Sequence, residues 1–185
     1  MARSPKALAA PCATLILIMA FGNGLTAKLP ADQLDEYQVK AAFLYNFARF
    51  VEWPEVIEDA TKPFVVCVLG KDPFGRGLDD IVSGKKIESR PFAVRRISDP
   101  AQARGCSILF VSSSERKNVI SVLGSLNEPG ILTVGESDTE TSDGVIVRFS
   151  MADGKVRFEI NSAAASRAML HISAKLLSLA QAVRR

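Results

Sequence analysis

Cys67 and Cys106 are the side chains in this sequence best placed to do covalent chemistry. A third cysteine, Cys12, lies in an apolar N-terminal run. If that run is removed, an even pair remains, which in an oxidising compartment can close one disulfide. The alternative is two buried thiols acting as small hydrophobes. Spacing alone does not show whether the two α-carbons approach closely enough for a bridge.

The other reactive groups are sparse. His171 is the single histidine, set between Leu170 and Ile172, and no second histidine or close cysteine pair completes a zinc site. No nucleophile elbow accompanies it. The stretch Gly70 to Gly77, GKDPFGRG, resembles a phosphate loop in its glycine spacing. However, Arg76 and Gly77 stand where such a loop carries the Lys and Ser or Thr that hold phosphate and magnesium. It reads better as a turn presenting Phe74. Glu128, Glu136, Asp138, Glu140 and Asp143 crowd a polar segment that lacks calcium-loop spacing, so they read as a solvated charge run. No catalytic residue, metal ligand or cofactor site emerges, and the expected role is binding.

Composition narrows the partners. The formal charge is +3, and Arg3 and Lys6 lie in the first 27 positions, which hold no acid. That leaves 21 basic against 20 acidic residues, which gives no support for a nucleic-acid surface. Arg3 and Lys6 precede an apolar run from Ala7 to Phe21, followed by Gly22, Gly24 and Ala27. This is the form of a secretory signal peptide over residues 1–27, cut after Gly24 or Ala27. The run is short for a membrane span, and the expected destination is the periplasm. Residues 28–185 are expected to form a single domain.

The elements that would position these residues follow from periodicity. Tyr37 to Pro54, YQVKAAFLYNFARFVEWP, is the densest aromatic stretch and holds Trp53, the only tryptophan. At helical spacing, Val39, Phe43, Leu44, Phe47, Phe50 and Val51 share a broad face. Tyr45, Arg49 and Glu52 lie opposite. Asp35 can cap the start, and Pro54 forces a stop at or before Trp53. Asn46 projects within the apolar arc, where its amide needs partners.

Phe64 to Leu69, Pro91 to Ile97, Ser107 to Val111 and Ile131 to Val134 read as strands, the first and third buried on both faces. Leu78 to Val82 and Glu115 to Leu126 read as helices, with a turn or short helix from Asp99 to Ala103. Val145 to Ser150 and Lys155 to Ile160 form a hairpin through Asp153 and Gly154. A final helix is expected from Asn161 or Ser162 to about Val183, with an apolar stripe of Met169, Ile172, Leu176, Leu179, Ala180 and Val183. This order predicts a three-layer α/β/α sandwich with a largely parallel central sheet and a C-terminal antiparallel hairpin.

Six segments also carry a resemblance. VKAAFLYNFARFVEWP (Val39 to Pro54), CVLGKDPFG (Cys67 to Gly75), CSILFV (Cys106 to Val111), ILTVGE (Ile131 to Glu136), VRFEIN (Val156 to Asn161) and ISAKLLSLA (Ile172 to Ala180) occur in this order. Together they resemble the YfiR family of periplasmic proteins, over nearly all of Tyr37 to Ala180.

The resemblance implies a non-enzymatic, dimeric repressor. It would bind the periplasmic domain of an inner-membrane diguanylate cyclase, lowering cyclic-di-GMP and biofilm formation, and an outer-membrane lipoprotein would sequester it. Cys67 and Cys106 match one cysteine pair of the family. A second pair found in some members near the hairpin is absent, since no cysteine follows Cys106. Tyr45, Trp53 and Phe74 are the candidate partner contacts, because aromatics concentrate binding energy at interfaces; for each, core or dimer packing is the competing reading. The competing function is a ligand-sensing accessory module of another membrane signalling system, with a cleft at the carboxyl ends of the parallel strands.

Overall fold

The computed structural model describes residues 31–54, 61–126, 129–136 and 144–184. The proposed signal peptide and the acids Glu128, Asp138, Glu140 and Asp143 lie outside them.

Helix α1 (Ala31–Phe50) leads into β1 (Val51–Glu52). Next come β2 (Phe64–Leu69), α2 (Arg76–Val82), β3 (Lys86–Ile87), β4 (Arg90–Ile97) and a 3-10 turn at Pro100–Ala103. After β5 (Ile108–Val111), a second 3-10 turn (Ser113–Glu115) precedes α3 (Val119–Ser125). The chain continues through β6 (Leu132–Glu136), β7 (Val147–Ala152), β8 (Lys155–Asn161), α4 (Ser162–Arg167), β9 (His171–Ile172), α5 (Ala174–Leu179) and β10 (Ala182–Arg184).

Eight strands form one sheet in the order β10-β8-β7-β6-β5-β2-β4-β3. Pairing is parallel except at the β7–β8 and β3–β4 hairpins. Asp153 and Gly154, at φ 52° and 68°, make the two-residue turn between β7 and β8, the conformation that matches strand twist.

Strand alternation divides the core in two. Phe64, Val66, Val68, Ile108, Phe110, Leu132 and Val134 point towards α1, α2, α4 and α5. Cys67, Leu69, Leu109 and Val111 point to the other face, where Ala103 of the first 3-10 turn and Val119 and Val122 of α3 cover them. The sandwich therefore has helices on both faces, with the second layer much thinner.

Several local expectations change. α1 begins at Ala31, ahead of Asp35, although it ends at Phe50, before Trp53, as Pro54 requires. Val51 lies in a strand rather than in the helix, and Val39 is 39% exposed rather than facing the core. The helix expected over Glu115 to Leu126 is split, because Ser112 caps the 3-10 turn instead; Ile120 of its stripe is 72% exposed.

The long final helix is not formed. Asn161 caps α4 as expected, its side chain accepting from Ala164 N–H at 2.9 Å. Met169 then adopts a left-handed φ of 57°, and Ser173 caps a new helix, α5. Between them β9 pairs antiparallel with β1, and Ser173 N–H donates to the Phe50 carbonyl at 3.1 Å. Long-range pairing outweighs helical propensity, which is a weak prior. Met169, Leu179 and Val183 of the expected stripe are left exposed.

Cys67 on β2 and Cys106 before β5 are joined as a disulfide, with Cα atoms 5.9 Å apart and a sequence separation of 39. The bridge staples the thin layer to the central strands. The chain-entropy relation gives a loop of that length up to about 4 kcal/mol. We expect dithiothreitol, or the C67A/C106A variant, to lower the urea midpoint correspondingly; an unchanged midpoint would show that the bridge contributes nothing.

Candidate functional site

Among the described residues α1 is the longest helix, and it lies across the deeper layer. Ala41, Leu44, Phe47 and Ala48 are 0–2% exposed. Phe43 and Phe47 pack on Phe149 and Phe158 of the hairpin, with ring centroids 5.3–6.0 Å apart. These apolar contacts seat the helix, and a polar cluster sets its position along the sheet.

Lys40, 3% exposed, pairs with Glu136 at the end of β6 and lies 2.5 Å from Glu36 one turn back. Tyr37 Oη donates to Glu136 Oε1 at 3.0 Å. Lys40 Nζ also sits 4.5 Å from the Tyr37 ring centroid. Glu136 is therefore buried, at 6% exposure, and does not belong to a solvated charge run. Its position at a strand end on the α1 face is a tertiary property, and only the Glu36–Lys40 spacing of four was visible in the sequence.

The three aromatic candidates part company. Trp53 is 8% exposed and packs edge-on against Phe64, its indole N–H donating to the Gly130 carbonyl at 2.7 Å. Phe74 is 7% exposed and packs against Phe110 and Tyr37. Both rings are packed inside this chain and present little surface to a partner. Tyr45 is half-buried, its ring resting on Phe92 at 5.5 Å. It alone of the three offers substantial outer surface.

Around Tyr45, cations and rings alternate. Lys85 Nζ lies 4.2 Å from the Tyr45 centroid, and the Arg49 guanidinium lies 6.0 Å from Tyr45 and 5.8 Å from Phe50. Lys175 of α5 continues the row, 4.9 Å from Phe50. Lys85 and Lys175 are distant in sequence from α1, so no local pattern assembles this strip. A groove of about 470 Å³ adjoins Arg49, lined also by Glu52, Trp53, Lys86 and Glu88.

The phosphate-loop look of Gly70 to Gly77 also resolves. Asp72 Oδ1 accepts from Phe74 N–H at 2.8 Å, closing a local turn. Arg96 fills the loop from β4, donating to Asp72, Asp79 and the Gly75 carbonyl. The Arg96 hydrogen bond holds the Asp79 carboxyl below its ordinary value of 3.8, while its two carboxylate partners push Arg96 upward. The adjoining β4 residue Arg95 donates to the Gln102 and Arg104 carbonyls, both at 2.8 Å. The Arg95–Arg96 pair thus anchors loops on both sheet faces.

His171 is exposed and stands opposite Glu52 in the β1–β9 pair. Among the described residues, no three His, Cys, Asp or Glu side chains converge as a metal site, and no helix is long and apolar enough to cross a membrane.

Compared with known families, the chain matches the YfiR/HmsC-like profile over residues 37–181. It belongs to that family, whose members are periplasmic regulators of cyclic-di-GMP signalling. No curated protein matches the chain.

Two outcomes follow from the geometry. Lys40→Met leaves Glu136 buried without its cation and is expected to cost about 3–5 kcal/mol by urea unfolding, with K40M/E136L recovering much of that loss; a neutral single variant would refute the anchoring role. Asp79 has a depressed folded pKa, so its pairing stabilises the protein above about pH 4 and is lost as pH falls through the folded value. The stability gap between wild type and R96A in thermal melts is therefore expected to be full at pH 7 and to shrink towards pH 3; a constant gap would exclude this linkage.

Proposed function

We propose that this protein is a periplasmic repressor that binds the periplasmic domain of an inner-membrane diguanylate cyclase and holds it inactive. The observation that carries the proposal is the YfiR/HmsC-like match across residues 37–181. In this reading residues 1–27 serve as the signal peptide, residues 28–185 form one domain, and the working form is a homodimer. Binding to the inactive cyclase alone shifts its population by the ratio of affinities for the two states. An outer-membrane lipoprotein that competes for the repressor reverses the shift.

Tyr45 is the candidate contact we retain, because it combines an aromatic ring with outer surface on the best-anchored helix. The chemistry asked of the chain is recognition, with no catalytic step.

A second reading, as a ligand-sensing accessory module, draws on one feature. A cavity of about 400 Å³ lies near the amino ends of β6 and β7, between α3 and α4, lined by Leu123, Leu126, Ile131, Ile146 and Arg167. Its size suits a small molecule, although it lies away from the carboxyl strand ends where a cleft was expected.

Deleting the gene is expected to raise intracellular cyclic-di-GMP, and the wild-type chain is expected to restore it. Unchanged cyclic-di-GMP under conditions of expression would overturn repression and favour the ligand-sensing reading.

A further inference from the structure

The cations beside Tyr45 form a row set over aromatic rings. Arg49, Lys85 and Lys175 come from α1, the turn after α2, and α5, and all three are exposed. Lys85 and Arg49 share the ring of Tyr45, and Arg49 and Lys175 share that of Phe50. Lys40, Arg96, Arg148 and Arg184 are paired with carboxylates, whereas these three cations rest on rings. Among the described residues none of these three has a carboxylate within ion-pair distance, although Glu52 and Glu88 border the adjoining groove. Three like charges in one strip repel one another, and ring faces offset that only in part. They also hold the cationic heads over a defined floor, which lowers the ordering cost of binding.

We infer that this strip is a docking surface for a protein partner bearing carboxylates, which pair with Arg49, Lys85 and Lys175 while apolar partner groups rest on Tyr45. Val39, 39% exposed, with Ala42 and Asn46 extends the surface along α1 at helical spacing. An arginine beside an aromatic ring is the composition of interface hot spots, and complementary charge would set both rate and choice of partner. An anionic membrane is the poorer fit, since basic lipid-binding clusters carry about four to eight cations. The inference deepens the repressor reading by assigning an acidic face to the cyclase's periplasmic domain.

The test has two arms. In the first, fluorescein-labelled poly-L-glutamate is titrated by anisotropy at about 20 mM salt, where screening is weak. The proteins are wild type, R49E/K85E/K175E, the milder R49Q/K85Q/K175Q, and the control R116E/K155E/R157E, reversed at exposed positions elsewhere. Matching thermal melts establish that each variant is folded. Both strip variants are expected to lose affinity, the reversal by about tenfold or more, with the control close to wild type. Equal losses in strip and control variants, or no wild-type binding, overturn the inference. So does strip-dependent binding to phosphatidylglycerol vesicles without binding to the polymer, or strip-dependent dimerisation in sedimentation, which would make the occupant a membrane or a second copy.

In the second arm the variants complement the deletion strain. If deletion raises cyclic-di-GMP and the strip reversal restores it fully, the docking surface falls and the repressor reading stands. If deletion has no effect while the polymer still separates strip from control, the repressor reading falls and the acidic-partner surface stands.

Discussion

Phe43 and Phe47 of α1 meet Phe149 and Phe158 of the β7–β8 hairpin, and the rest of the deeper layer is arranged around that contact. The hairpin lies towards one edge of the sheet, with only β10 outside it, while α1 arrives from the other end of the chain. Packing these four rings together, three of them buried, commits the N-terminal helix to a sheet that is otherwise built from local crossovers. Apolar packing of this kind is strong but weakly directional, so it does not by itself set where the helix stops along the sheet. The buried Lys40–Glu136 pair, with Tyr37 donating to the same carboxylate, supplies that register. A buried ion pair contributes little net stability but penalises misplacement heavily.

With α1 so held, its neighbours take their positions from its two ends. At its carboxyl end, the Phe50 carbonyl and β1 capture Ser173 and β9, which brings α5 and Lys175 beside Phe50. Lys85, in the turn after α2, reaches the ring of Tyr45. The outer strip is therefore a consequence of the inner packing. The opposite face depends on a different device: a thin layer of one short helix and a 3-10 turn, tied to the central strands by the Cys67–Cys106 bridge and by Arg95. These ties give the outer surface a fixed shape.

The sequence by itself determined the longer strands β2 and β4 to β8, though not β1, β3, β9 and β10 of two or three residues, and it determined the layer architecture, the Asp153–Gly154 hairpin and the family. Each of these rests on alternation, on turn chemistry or on ordered motifs, which are local properties of the chain. It determined the aromatic character of α1 and the cysteine pair, but not that the pair is bridged. Only the tertiary structure decided that Trp53 and Phe74 pack inward, that Glu136 is a buried anchor, and that Ser162 to Val183 breaks into two helices around β9. The physical reason is common to all three. Burial, ion pairing and strand pairing depend on which distant residue arrives opposite, and for Trp53, Glu136 and Ile172 those partners are Gly130, Lys40 and Val51. The cationic strip was illegible for the same reason, since Arg49, Lys85 and Lys175 meet only when three separated elements have packed.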